Sequence, residues 1–541
     1  MAHDRSDRSG SYGFTRRSAL KLALAGSAAL PPSGLLASKA AAAVSIDKIT
    51  IGVGDEPPIF DPHKAYGGIS GYFFVNVYEG LLATDLDNKP IPALATKWSM
   101  SPDGLTYEFQ LREGVKFHTG EPFTEEDVVF SFRRFRDPKV QSHQSNFSHV
   151  EGCEAIKKGT VRVKLSKQDP TFLALLANFN YFRIASKAYY DKAGDDAFEK
   201  SPVGTGPYKF VRRSIKESWE LERFEDYWDE KPAFKRATFR VIPEAVTLAA
   251  ALKTGEIDFV QNYPPTFVDE LSKTPGFRIV KNKTINTIDL RINSIRGTDP
   301  ATGAPNPFAD RRVRMAMANA IDKDAIINRL LKGMGEKVAV LFPEDVGYDP
   351  NVKPYPYDLK KAKALLAEAG YPNGIDATYY GLVGQRMPMS KEVGEAVAQY
   401  LTAAGIRTKV VNEEYGMWLK RSNSRDSAAD VSLQLYPFGY GMTWVGGAFH
   451  SAFGLKVNAY SGTPFSWWES KEYDTVVDEI WRTTEPAKVE ELCRKAAQIL
   501  YDGVGTIPLY RVIIAYAMKD TLTFSPTVNS TAVELKYLRP V

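Results

Sequence analysis

The feature that most constrains this chain is a unit recurring along its second half: an amphipathic helix, closed by glycine and followed by a strand. Residues 247–254 have helical apolar spacing, Gly255 can close the turn in the left-handed conformation, and 257–260 is strand-like. Asp358 can cap a helix whose Leu359, Ala362, Leu365, Leu366 and Ala369 form one stripe before Gly370. Val393, Ala396, Val397, Tyr400 and Leu401 do the same before Gly405, and the strand 406–411 follows. Val313, Ala316, Ala320, Ile321 and Ile327 also recur at helical intervals. Helix, glycine and strand in repetition predict α/β layers. The first half reads differently. A strand-like run at 49–53 leads into a loop rich in Pro and Gly, 54–71. Tyr107, Phe109 and Leu111, then Val161, Val163 and Leu165, alternate as half-buried strands do. The turn-dense stretch 201–207 marks a junction. The pattern predicts at least two α/β lobes with a more β-rich insertion near 90–200, and 541 residues is length enough for two to four such units.

Charge separates the first 43 residues from the rest. They carry Arg5, Arg8, Arg16, Arg17, Lys21 and Lys39 against Asp4 and Asp7, which accounts for the whole net charge of +4 and leaves 63 basic and 63 acidic residues beyond them. The basic excess therefore gives no support for nucleic-acid binding. This leader has a polar stretch ending at Arg16-Arg17, a short apolar run at 22–36 broken by Gly26, Pro31 and Pro32, and small residues at 37–43 where a signal peptidase could cut. The run is too short to span a bilayer, which needs roughly 20 apolar residues. It resembles a twin-arginine signal, the route of proteins exported already folded. No cysteine follows it directly, so the lipid anchor of a lipoprotein is not expected. Export to the periplasm as a soluble, unanchored protein is the reading. Cys153 and Cys493 are 340 positions apart, and could pair or stay free.

Enzyme motifs are sparse. The six histidines include no pair at i, i+4 around a glutamate; there is no Cys-x-x-Cys, no Gly-x-Ser-x-Gly and no phosphate-loop lysine. No catalytic residue, metal site or cofactor is expected from local motifs. A secreted hydrolase with carboxylates drawn from distant segments is the remote alternative.

A set of short stretches points further. They include Asp61-Pro62, Asn76 to Leu81, Leu94-Ala95-Thr96-Lys97-Trp98, Asp103-Gly104, Tyr107 to Phe109, Leu111-Arg112, Val115 to Gly120 and Asp127-Val128. Ser201 to Tyr208, Tyr227-Trp228, Ala251-Leu252, Gly255 to Asp258, Arg314 to Lys323, Ala362 to Tyr371 and Ile507 to Tyr510 follow in order. Together they resemble the family 5 extracellular solute-binding proteins, the dipeptide, oligopeptide and nickel-chelate receptors of ABC importers. The resemblance implies a periplasmic-binding-protein fold: two α/β lobes, an extra β-rich subdomain on the N-terminal lobe, and a ligand cleft between lobes that swing shut. It places the signal peptide at 1–43, lobe I at 44–88, 205–292 and 509–541, the β-rich subdomain at 89–204, and lobe II at 293–508. It implies a monomer that hands a small molecule to ABC importer permease subunits and performs no chemistry. Trp98, Phe109 and Phe117 are expected in the core, Gly204 and Gly206 in a tight turn, and His118 in a structural role.

The ligand candidates follow from the same resemblance. Arg386, in a stretch after a strand and before a helix, is the expected anchor for a ligand carboxylate; a guanidinium in a desolvated cleft makes a directional two-pronged contact. An acidic anchor for a peptide amino group is expected in the turn after 430–435, and here the chain departs: no carboxylate lies between Asp430 and Glu469. Tyr436, Phe438, Tyr440 and Trp444, interleaved with Gly, stand there instead, either lining the pocket or packing as loop residues. Tyr66 and Gly67 would face the cleft by the same analogy. The leading expectation is a peptide or peptide-like, carboxylate-bearing solute; an opine, an oligosaccharide or a metal chelate on the same fold is the alternative.

Overall fold

The computed structural model describes residues 47–64, 70–86, 89–140, 147–178, 182–294, 298, 303–341, 349–382, 389–414, 417–418, 432–438 (backbone), 468–483, 485–528 and 532–541. These lie in the unit Val44–Val541. Its spine is a pair of long antiparallel strands, Phe277–Ile292 and Ile507–Lys519. Their register runs evenly from Phe277 opposite Lys519 to Lys283 opposite Ile513. It then breaks, and resumes at Thr287 opposite Arg511. The extra residues of one strand leave the ladder, which bends and twists a strand pair locally.

The break divides the neighbours of the spine. On one side, Ile507–Lys519 also pairs with Phe259–Val260, and the sheet continues through Lys48–Val53, Arg236–Val241, Ser218–Arg223 and Tyr208–Ser214. On the other, Phe277–Ile292 pairs with Ser432–Phe438, followed by Ile375–Leu382 and Ile406–Glu413. The chain thus crosses between two halves of one sheet along one strand and returns along the other. The strands Ile375–Leu382 and Ile406–Glu413 are parallel, and the helix Ser390–Ala404 makes the crossover that parallel pairing requires.

Local signals behave as the sequence suggests. Asp358 caps the helix Leu359–Glu368, its side chain accepting from the Lys361 amide. Gly255 and Gly405 close the helices Ala245–Thr254 and Ser390–Ala404 in the left-handed conformation. The strand read at 257–260 is shorter, Phe259–Val260. A separate antiparallel sheet of four strands forms the β-rich layer: Ala95–Met100, Thr106–Leu111, Thr160–Leu165 and Val150–Lys157. Phe109 and Phe117 are fully buried in its core, while Trp98 packs half-buried against it. Cys153 and Cys493 are both free thiols.

Several motif residues are clamps between distant segments. Asn76 donates to the carbonyls of Tyr72 and Val533 and accepts from the Leu535 amide, tying the helix Gly71–Val77 to the C-terminal segment. Glu79 is half-buried and takes hydrogen bonds from Tyr227 and Trp228. Arg314 spends its guanidinium on the carbonyls of Phe308, Ala309, Gly503 and Val504, the last two at the C-terminal end of the helix Pro486–Asp502. A cation there also meets the negative end of the helix dipole. Gly204 and Gly206 are needed for a reason other than the expected turn geometry. Neither has positive φ, but a Cβ on Gly204 would collide with the Val77 carbonyl oxygen, and one on Gly206 would lie 2.7 Å from the Val77 carbonyl carbon.

Candidate functional site

The spine strand alternates strictly after the register break. Ile288, Leu290 and Ile292 are buried in the main core with Val313, Ala316 and Met317 of the helix Arg311–Ala320. Side chains of successive strand residues point to opposite faces, so Thr287, Asp289 and Arg291 share the other face. They are as buried as the core, at 0, 0 and 4% exposure. Asp289 Oδ2 accepts from Thr506 Oγ1 at 2.5 Å and from Arg291 Nε at 3.3 Å. Burial pushes the Asp289 carboxyl up from its ordinary value, against the pull of Arg291 and Thr506.

The charged face continues across the spine. Arg511 stands opposite Thr287, and directly opposed residues of an antiparallel pair share a face. Glu336 is paired with Arg511 on the short strand Gly335–Glu336. Lys283, the last residue before the break, donates to Glu336 Oε1 at 2.9 Å, and Arg511 Nη1 lies 3.9 Å from Glu336 Oε2. Glu336 and Arg511 also line an open recess of about 140 Å³ with Lys337, Val352, Lys353 and Pro354. Acidic and basic groups are therefore interleaved where the chain crosses between the two halves of the sheet. The edge of the recess is therefore polar and of mixed charge. Among the described residues, no group of three or more His, Cys, Asp or Glu side chains is arranged to hold a metal ion.

A second charged cluster fixes the segment Asp61–Lys64. Arg134 binds Asp61 through both terminal nitrogens, at 2.8 and 2.6 Å, and reaches Asp195 at 2.6 Å. Lys64 also pairs with Asp195. His63 Nδ1 accepts from Arg134, so Nε2 carries the proton given to the Arg183 carbonyl. Burial first, and Arg134 second, lower the His63 pKa to about 4. His118 is likewise structural: Nδ1 accepts from the Gly204 amide and Nε2 donates to the Gly206 carbonyl, and burial lowers its pKa to about 4.

Of the residues picked out in the sequence, Tyr66, Gly67, Arg386, Tyr440 and Trp444 lie outside the described residues. Tyr436 and Phe438 are placed by backbone register alone, opposite Asp289 and Thr287 respectively. Thr287, Asp289, Arg291, Glu336 and Arg511 were missed. The signal was present in the run 287–293, where polar and apolar residues alternate without a fault.

The described residues thus form a mixed α/β fold, one large sheet crossed by two long antiparallel strands beside a separate four-stranded sheet. The comparisons with known proteins agree. The family model for bacterial extracellular solute-binding proteins, family 5, matches residues 89–496. The heme-binding protein A of Haemophilus influenzae is 31% identical over 374 residues, covering 64% of this chain and 66% of that protein. The dipeptide-binding protein of Escherichia coli is 28% identical over 481 residues, covering 83% and 85%. The periplasmic binding protein DppA of Helicobacter pylori, solved with the peptide STSA, superposes with a TM-score of 0.77 at 27% identity, covering 91% of this chain and 98% of that one. The chain belongs to the family 5 bacterial extracellular solute-binding proteins. No helix among the described residues is long and apolar enough to cross a membrane.

Proposed function

We propose that this protein is the periplasmic receptor of an ABC importer, capturing a peptide or peptide-like solute with a carboxylate by closure of two lobes, without chemistry on the solute. The observation that carries the reading is the interleaved charge at the strand crossing, immediately beyond the register break between Lys283 and Thr287. A bend placed there lets the halves of the sheet move while the charged side chains stay at the seam. The dipeptide-binding relative and the peptide-bound neighbour support a peptide-like cargo.

In this reading lobe I comprises 44–88, 205–292 and 509–541, with the β-rich subdomain at 89–204 and lobe II at 293–508. Residues 1–43 are a twin-arginine-type signal peptide, and the exported protein is an unanchored monomer. Arg386 receives the solute carboxylate; Tyr436, Phe438, Tyr440 and Trp444 line the pocket, with Tyr66 and Gly67 facing it from lobe I.

Native mass spectrometry of the purified protein, with gentle release and identification of bound molecules, tests the cargo. A released peptide or amino-acid conjugate is the expected result; a sugar or a metal chelate would sink the peptide reading. Arg386→Ala is expected to weaken binding of carboxylate-bearing peptides several-fold or more while leaving the corresponding amides unaffected. Turnover of peptide or glycoside substrates, abolished by a single carboxylate change, would overturn the receptor assignment altogether.

A further inference from the structure

Lys323 is buried without an acidic partner of its own among the described residues. It opens the short helix Lys323–Ala325, just after the helix Arg311–Ala320, and is 3% exposed. Its Nζ makes one long hydrogen bond, 3.5 Å to the Tyr355 carbonyl, and lies 5.2 Å over the Tyr355 ring. The acids beside it in the chain are engaged elsewhere. Asp324 accepts from Lys337 Nζ at 2.7 Å, and Asp322 accepts from the Ala325 amide. An ammonium taken out of water and left unpaired is costly, and a lysine so placed gives up its proton instead. Asp324 and Lys337 act on Lys323 directly, while Arg311, Arg314, Tyr501 and Asp502 act on Tyr355. Burial first, and Lys337 second, lower the Lys323 pKa to about 7, with Asp324 pulling the other way.

Two segments meet on this side chain. One runs from Lys323 through the turn Ile326–Leu330 to the short strand Gly335–Glu336 and Lys337. The other, 349–357, brings Tyr355, whose ring stacks on Tyr501 at 4.5 Å and whose hydroxyl donates to the Tyr501 carbonyl. Tyr501 in turn donates to the Lys353 carbonyl. Both segments line the recess at the strand crossing, one through Glu336 and Lys337, the other through Lys353 and Pro354.

We propose that Lys323 is a proton-operated latch between these two segments. As a neutral amine it lies against Tyr355 and the segments close over it. As an ammonium it opposes Lys337 and draws in water, and the segments loosen. The proton is exchanged with solvent, and no other bond changes. The unfolded chain keeps this proton up to the ordinary lysine value of 10.5, whereas the folded chain gives it up from about 7, so stability rises with pH between the two.

Urea titrations of the full chain and of Lys323→Met, from pH 6.5 to 10, test the proposal through the ratio of their unfolding constants. The ratio of wild type to variant is expected to fall by roughly tenfold or more between pH 7 and pH 10, because only wild type carries the amine. Effects of side-chain shape are the same at every pH and cancel. A ratio that is flat, or that rises with pH, overturns the proposal. Lys323→Gln, which keeps a polar end, is read in the same way and decides the matter where the Met variant does not fold. Hydrogen exchange then separates a latch from a merely buried amine. The Val352 and Asp358 amides donate to the Asp349 and Asn319 carbonyls. Corrected for intrinsic exchange, their protection should grow by roughly fivefold or more from pH 6.5 to 8.5 in wild type and stay level in the variant. A pH-dependent ratio with these amides unresponsive overturns the latch.

Discussion

Arg134 grips Asp61 through two parallel hydrogen bonds, Nη1 to Oδ1 at 2.8 Å and Nη2 to Oδ2 at 2.6 Å, with both side chains buried. Removing one partner of a buried pair leaves an uncompensated charge, at about 3–5 kcal/mol. Arg134→Met should lower the unfolding free energy by that amount, read as a fall in the urea midpoint, and Asp61→Asn combined with it should recover part of the loss. Equal midpoints for Arg134→Met and wild type would show that the buried pair contributes no net stability.

The neutral His118 predicts a pH dependence with a definite sign. Its pKa falls from an ordinary 6.5 to about 4 on folding, burial being the main cause. Its contribution is fully present above pH 6.5, where neither state binds the proton. It declines as pH falls from there, because the unfolded chain takes up a proton that the folded one refuses, and it is gone below about pH 4. Denaturant titrations from pH 8 to 4 should show falling stability, with a shallower slope in His118→Gln. A slope the same in both would mean that another group controls the acid limb.

Gly204 is a site where one methyl group should matter. A Cβ there meets the Val77 carbonyl oxygen, main chain that cannot rotate aside. Gly204→Ala should destabilise by about 1–3 kcal/mol or more, as overpacking does. Gly159→Ala, with open space around its Cβ but φ at +71°, should lose only about 1 kcal/mol, from backbone conformation. Chemical denaturation of the two variants side by side checks the ranking.

Lys167 Nζ lies over the Trp481 ring at 5.2 Å, joining the end of the β-rich layer to the helix Lys471–Trp481. Desolvation lowers the Lys167 pKa, as expected of a cation drawn against an aromatic surface. A cation–π contact of this kind is worth about 0.5–2 kcal/mol. Lys167→Met should lower the unfolding free energy by about 0.5–2 kcal/mol, because the contact sits on the core that the β-rich strands share with Trp481. An unchanged urea midpoint would show that the contact carries no net stability.

Much of the fold was legible because its signals are local. Gly255, Gly405 and the Asp358 cap act on hydrogen bonds within a turn or two, so residue type and spacing report them directly. The alternation of Tyr107, Phe109 and Leu111 marks a buried strand face for the same reason. The site was less legible. Asp289 and Thr506 are 217 positions apart and Arg134 and Asp61 are 73 apart, and nothing in either neighbourhood names the other. Gly204 illustrates a partial success: the residue was singled out, but its reason is the approach of another segment and not its own turn.

The sequence by itself determined the class of layers, the glycine-closed helices, the β-rich insertion and a charge excess confined to the first 43 residues. The tertiary structure decided which polar residues meet. The pairing of 277–292 with 507–519, and the break at Lys283, bring Thr287, Asp289, Arg291, Glu336 and Arg511 to one seam. Helix periodicity and capping are contained in a few adjacent residues, whereas ladder register between segments more than 200 positions apart is set by packing of the whole chain.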